Sequence, residues 1–215
     1  MNFNLVNRVL IVTAHPDDEC MFFAPIILNL TRNNKEVHLL CLSNGNSYGE
    51  GITRTDELKR SCNRLKIKSV QIINDVDLQD SMKNFWPIEK IILLVQNIID
   101  KLLIKTIITF DNQGVSGHRN HVSIYSSMQK LKEISDVDIY TLKSFHILRK
   151  YCIIFDIISN YCDKKLKSEV NVWSTFGQFI ESVQAMFNHK SQLTWYRYLY
   201  IFTSCYMIHN KLLKL

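Results

Sequence analysis

At 215 residues the chain is long enough to bury one substantial core, and three prolines and six glycines leave no linker, repeat or low-complexity segment. Its net charge of +6 is scattered through pieces such as Lys59-Arg60, residues 66–68, Lys164-Lys165-Leu166-Lys167 and residues 211–215. That is too thin a basic surface for nucleic acid, and it suits phosphorylated small molecules or an anionic membrane surface.

Residues 1–4 lack the basic start and apolar run of a signal peptide, and no stretch of about eighteen apolar residues runs unbroken. Residues 9–12 are strand-like, and residues 20–30 carry a helical spread of apolar side chains. Residues 37–42 repeat the strand signal before the loop Ser43-Asn44-Gly45-Asn46-Ser47-Tyr48-Gly49. Thr53, with Asp56 three residues on, reads as the cap of a helix to about Leu65. Residues 69–73 are a short strand, residues 74–82 an aspartate-rich loop, and Pro87 opens a helix whose apolar positions follow a helical period. Residues 106–110 are a strand and residues 120–132 a helix.

Beyond residue 136 the pattern weakens. Residues 139–142 and 152–158 read as strands and 175–187 as a helix, within an aromatic, helical carboxyl-terminal segment of about 175–212. The run Trp195-Tyr196-Arg197-Tyr198-Leu199-Tyr200-Ile201-Phe202 is expected to pack inside, with a membrane-surface contact as the alternative. Strands alternating with helices at this spacing predict an α/β fold in a single domain, its sheet mostly parallel with helices on both faces. The six cysteines (Cys20, Cys41, Cys62, Cys152, Cys162, Cys205) form no Cys-x-x-Cys pair and read as reduced core residues.

Two polar constellations follow strand-like runs. Ala14-His15-Pro16-Asp17-Asp18-Glu19 stands behind residues 9–12, and Gly117-His118-Arg119-Asn120-His121 follows residues 106–110 through Asp111-Asn112-Gln113-Gly114-Val115-Ser116. Open α/β sheets place their sites at the carboxyl ends of strands. His15, Asp18 and His121 can supply the three ligands of a catalytic zinc, and Asp17 and Asp18 can divide the labour, one binding the metal while its neighbour reaches the metal-bound water. His118, three residues before His121, faces the substrate, where it steadies the oxyanion and protonates the leaving nitrogen. Taken singly, His-x-x-His is a common accident and Asp-Asp a common capped turn; the combination permits metal-assisted hydrolysis of an amide or ester.

These residues resemble the de-N-acetylase family that includes N-acetylglucosaminyl-phosphatidylinositol de-N-acetylase (PIG-L) and bacterial LmbE-like enzymes. The resemblance also rests on Leu42-Ser43-Asn44-Gly45-Asn46, Tyr48-Gly49, residues 54–58 and Thr109-Phe110-Asp111, and nearly spans the chain. His189-Lys190-Ser191-Gln192 with Trp195-Tyr196-Arg197 is similar to the eukaryotic glycolipid branch. It implies a Rossmann-like sheet, His15, Asp18 and His121 as ligands of Zn2+ or another divalent ion, Asp17 as general base, and His118 stabilising the tetrahedral intermediate. It further implies removal of acetate from N-acetylglucosaminyl-phosphatidylinositol on the cytoplasmic face of the endoplasmic reticulum, in glycosylphosphatidylinositol anchor synthesis.

Arg54 falls where the family has an arginine near the pocket; its fork suits a substrate phosphate, or it pairs with Glu57. His189 either approaches the metal pocket or braces the last helix, whereas His38, His146 and His209 have no acidic or histidine companion nearby in sequence and read as packing or exposed residues. Many bacterial relatives carry an aspartate where this chain has Asn120. Eukaryotic members commonly begin with a membrane anchor, and here the motif starts almost at the amino terminus. In a complete chain, attachment would come from the aromatic carboxyl-terminal stretch, a partner subunit or the lipid itself. The rival readings are the same chemistry on a soluble acetylated amino sugar, and a silent nucleotide-binding or interaction module, which would want Gly-x-Gly-x-x-Gly after the first strand.

Overall fold

Val9, Leu10, Ile11 and Val12 are completely buried, because the strand they form sits in the middle of a sheet covered on both faces. A computed structural model describes residues 7–162 and 169–215; the lysine run 164–167 and residues 1–4 lie outside the described residues. β1 (Arg8–Thr13) leads through α1 (Asp18–Met21) and α2 (Ala24–Arg32) to β2 (Glu36–Cys41), and α3 (Gly51–Arg64) leads to β3 (Ser69–Ile72). α4 (Ile88–Leu102) feeds β4 (Thr106–Phe110), and α5 (Gly114–Gly117) and α6 (Arg119–Ile134) cross to β5 (Asp138–Leu142). Next come α7 (Ile147–Tyr151), α8 (Ile153–Cys162), β6 (Glu169–Trp173), α9 (Phe176–Met186), α10 (Trp195–Thr203) and β7 (His209–Lys214).

The strands form one seven-stranded sheet in the order β3-β2-β1-β4-β5-β7-β6. β3 through β5 run parallel, with Val9 opposite both Val37 and Thr106; β7 is antiparallel to β5 and to β6. Helices α2, α3 and α9 pack together, and α4 and α6 form a second pair, which covers the central strands from both sides. From β1 the chain winds outward to β2 and β3, then returns to β4 on the other flank. The loops that leave β1 and β4 therefore diverge, opening a crevice at the carboxyl edge where such folds bind ligands.

Several boundaries differ from expectation. The helix expected over residues 20–30 is two, broken at residues 22–23, because Pro25 lacks an N–H and suits the first turn of α2. Helix α3 begins at Gly51 behind Glu50, so Thr53 lies inside it and is no cap. Of residues 152–158, expected as a strand, Cys152 is extended and residues 153–158 are helical in α8. Their apolar run lacked the flanking turns that separate a buried strand from a helix. The carboxyl-terminal segment is helical only to Thr203 and ends in β7, where Leu212 is buried and pairs with Leu142 and Val170.

The aromatic run around residue 195 does not pack inside. Only Tyr200 and Ile201 are buried, whereas Trp195 is 74% and Phe202 64% exposed. Cys20, Cys41, Cys62 and Cys205 are buried free thiols, and Cys152 and Cys162 are free but exposed. His38 packs on Ser69 and His146 is exposed, as expected. His209 departs from expectation: its Nδ1 lies 2.8 Å from Asp156 Oδ2, its ring stacks on Trp173, and Arg149 Nε donates to Asp156 at 2.6 Å. The partners come from three distant elements, out of reach of sequence spacing.

Candidate active site

The tip behind β1 is organised by one carboxylate. Asp18 Oδ2 accepts the N–H of Ala14 at 3.0 Å and of His15 at 2.8 Å, folding the turn back on itself. Asp17 is thereby held at φ 104°, a conformation costly for a side-chain-bearing residue and common at functional sites. Glu19 steadies it, because its Oε2 accepts the Asp17 N–H at 3.1 Å.

The tip behind β4 is organised by Asp111, which accepts the N–H groups of Gln113 and Gly114 at 3.1 Å and the N–H and hydroxyl of Ser144 at 2.6 Å. Gly114 adopts φ 54°, and a Cβ there would stand 2.8 Å from that of His121, so only glycine lets the two meet. Its carbonyl accepts from His121 Nδ1 at 3.0 Å, while the His121 ring stacks on Phe110 at 3.9 Å. His118 caps α6, its Nδ1 accepting the Asn120 N–H at 3.3 Å.

The two tips meet. The rings of His15 and His121 are 5.4 Å apart, His121 Nε2 lies 3.5 Å from Asp18 Oδ2, and His15 Nδ1 lies 3.8 Å from the same oxygen. The surrounding hydrogen bonds assign the tautomers. Asn120 Nδ2 donates to Asn84 O at 3.1 Å and its Oδ1 accepts the Ser81 N–H at 3.1 Å, so that oxygen faces His15 Nε2 at 3.0 Å and requires it to carry the hydrogen. His15 Nδ1 and His121 Nε2 are then left with lone pairs aimed at Asp18, and His121 Nε2 is buried with no hydrogen-bond partner. Two imidazole lone pairs and a carboxylate converging in a buried space fit a divalent transition metal. Asn120 thus orients His15 through a neutral amide that carries no charge of its own.

Two other groupings, His15 with Asp80 and His118, and Glu19 with Cys20 and His189, also lie close enough to hold an ion. The second is a poor cage: burial pushes the Cys20 thiol well up, and Glu19 already pairs with His189 at 2.7 Å and accepts from Ser61. Burial opposes charge on both partners, yet their mutual attraction holds Glu19 below and His189 above their ordinary values. His189 is completely buried, so it braces the carboxylate behind Asp17 and has no surface to offer a substrate.

Asp17 points outside the cage. Its Oδ2 lies 3.1 Å from Arg197 Nη2 and 3.8 Å from Arg54 Nη2, yet makes no aligned hydrogen bond. Burial pushes its carboxyl up and the two guanidiniums only partly offset this. For Asp18 burial acts the same way, but His121 and His15 outweigh it and hold the carboxylate ionised. Burial and the two neighbouring imidazoles push His118 down to about 4.

Arg54 does not pair with Glu57, which instead accepts from the Ser191 N–H at 2.9 Å. Its fork is taken by Pro16 O at 2.7 Å and Gly45 O at 2.9 Å, with Asp80 at 3.4 Å. Gly45, at φ 67°, is required because any Cβ would strike that guanidinium. Asp80 and Arg197 are not site candidates by sequence, although Asp80 stands in an aspartate-rich loop and Arg197 in the resemblance, and Asn120 enters there only as a departure from the bacterial pattern. A cavity of about 850 Å³ joins His15, Asp17, Asp18, His118 and His121 to Lys150 and Arg197.

A Rossmann-like sheet of this strand order, with its crevice at the switch point, is the LmbE-like deacetylase fold. The solved zinc-inhibited teicoplanin deacetylase Orf2 shares it, with a TM-score of 0.69 at 10% identity over 97% of this chain and 98% of that one. Residues 10–131 match the family model PIG-L, described as GlcNAc-PI de-N-acetylase. The chain is 37% identical to the probable N-acetylglucosaminyl-phosphatidylinositol de-N-acetylase of Schizosaccharomyces pombe, over 96% of this chain and 86% of that protein. It is 38% identical to the N-acetylglucosaminyl-phosphatidylinositol de-N-acetylase of Bos taurus, over 96% and 83%. The chain belongs to the PIG-L de-N-acetylase family.

Proposed function

We propose that the chain hydrolyses the N-acetyl group of N-acetylglucosaminyl-phosphatidylinositol, giving acetate and glucosaminyl-phosphatidylinositol in glycosylphosphatidylinositol anchor synthesis. The observation that carries this reading is the convergence of His15, Asp18 and His121 beside an ionisable Asp17 in a chain of this family. His15 Nδ1, Asp18 and His121 Nε2 would hold zinc or another divalent ion, which when bound supplies Lewis acidity towards water and the amide carbonyl.

Asp17 Oδ2 takes a proton from the attacking water as the new C–O bond forms, and returns it to nitrogen as the C–N bond breaks. A carboxyl raised by burial is better matched to both transfers than a free one. His118 stands as neutral imidazole at neutral pH with Nδ1 occupied, so its Nε2–H donates a hydrogen bond to the developing oxyanion. That neutrality argues for Asp17, rather than His118, as the proton donor to nitrogen.

Work at the cytoplasmic surface of the endoplasmic reticulum fits a peripheral contact. α7 packs against both α8 and α10, and Ile147, Leu148, Ile154, Trp195 and Phe202 on these helices are all at least 60% exposed. None of the helices among the described residues is long and apolar enough to cross a membrane. Exposed aliphatic and aromatic side chains on short helices suit the boundary between headgroups and acyl chains.

The test is acetate release from synthetic N-acetylglucosaminyl-phosphatidylinositol, lost with a chelator and regained with zinc. Equal turnover of free N-acetylglucosamine would favour the soluble-sugar reading. Less than a tenth of an equivalent of metal after reconstitution, with no release, would favour a silent module.

A further inference from the structure

Three cations line the cavity, and two of them are already spent. Arg54 is held by two carbonyls and Asp80, and Arg197 faces Asp17 while its other amino group rests on Met21 Sδ. Lys150 is different. It comes from α7, is 8% exposed, and its Nζ sits over the rings of Tyr151 at 5.4 Å and Tyr206 at 6.0 Å. No carboxylate or other hydrogen-bond acceptor among the described residues pairs with it.

A largely buried lysine whose ammonium opens only on a cavity and has no counter-ion is costly to keep, and retaining one makes sense if a ligand brings the charge. Burial accordingly pulls the Lys150 ammonium below its ordinary value, the direction a bound anion would reverse.

We propose that Lys150 is the phosphate-binding residue of this cavity, taking the phosphodiester of an inositol phospholipid headgroup. The inference rests on the reading of the substrate given above and replaces Arg54 with Lys150 as the group that meets the phosphate. The surroundings fit a lipid better than a free phosphate. In a phospholipid the phosphate lies directly beneath the acyl chains, and the neighbours of Lys150 on α7, Ile147, Leu148 and Tyr151, are exposed apolar or aromatic side chains. Tyr151 and Leu199 of α10 also line the cavity, so the same wall runs from the cation to the exposed face. An ammonium acts here as a point charge and tolerates the tetrahedral phosphodiester from any side.

The test compares wild type, Lys150→Met and Lys150→Arg on two substrates, N-acetylglucosaminyl-phosphatidylinositol and N-acetylglucosaminyl-inositol without phosphate. The wild-type preference for the phosphodiester, as a ratio of kcat/KM values, should fall about tenfold or more in Lys150→Met, mostly through KM. Lys150→Arg should regain most of it. An unchanged ratio in Lys150→Met overturns the proposal.

Binding without turnover separates this from the parent reading. Calorimetry with inositol 1-phosphate should give a dissociation constant about tenfold weaker for Lys150→Met than for wild type, with inorganic phosphate showing the smaller difference. Equal inositol 1-phosphate binding by both proteins overturns the proposal, and so does a difference seen only with inorganic phosphate. Failure of wild type to release acetate from either substrate would count against the parent reading alone, since the binding comparison still stands.

Discussion

Replacing Asp17 by Asn separates binding of the ion from proton transfer. The position adopts φ 104°, which Asn tolerates better than most residues, so the backbone strain carries over. The change removes the carboxylate that lies 3.1 Å from Arg197 and 3.8 Å from Arg54, leaving the half-buried Arg197 guanidinium without that anion while Arg54 keeps Asp80 at 3.4 Å. That costs about 1–3 kcal/mol of stability, a fall in Tm of several degrees for a chain of this size. The cage of His15, Asp18 and His121 keeps every donor atom. Loss of a positioned general base lowers kcat by about 10²–10⁴, equivalent to about 3–5 kcal/mol of transition-state stabilisation. The assay is acetate release at saturating substrate, run beside metal content by elemental analysis on the same preparation. Near-full metal with kcat down at least a hundredfold is expected. Metal lost in step with activity would show that Asp17, not Asp18, binds the ion, and full activity would refute its role as base.

Other outcomes follow from the same geometry. His121→Ala should lose both metal and acetate release, because the Gly114 carbonyl and Phe110 ring exist to aim that imidazole; retention of a full equivalent of zinc would contradict it. Asp156, completely buried, is raised by burial but lowered further by His209 and Arg149, so its folded value lies below that of the unfolded chain. Its stabilisation is therefore full above about pH 4 and lost as pH falls through the folded value. Asp156→Asn should cost about 3 kcal/mol at pH 7, with the gap in chemical denaturation narrowing below about pH 4; a gap independent of pH would refute this. Replacing Ile154, Trp195 and Phe202 together by Ser should cut sedimentation with anionic phosphatidylinositol vesicles severalfold while leaving Tm nearly unchanged, and unaltered sedimentation would argue against that face as the contact.

The sheet and the two tips were legible because they are local. Residues 9–12 and 106–110 announce buried strands by composition, and the residues that follow carry the chemistry within a few positions. What distant elements contribute was not legible. Asp80 and Asn120 reach His15 from a loop and a helix that only the β1–β4 switch point brings together. Glu19, placed in the motif by sequence, acts through His189, 170 residues away, a distance no spacing argument crosses. Residues 152–158 and 195–202 misled for one reason: an apolar run signals burial, and here much of that surface is left exposed on α8 and α10.

The account stands on one cation site among three geometrically possible ones in the described residues. Crystals grown with zinc and measured at the zinc absorption edge should show one anomalous peak bounded by His15 Nδ1, Asp18 and His121 Nε2. A sole peak between Asp80 and His118, or beside Glu19 and His189, would contradict it.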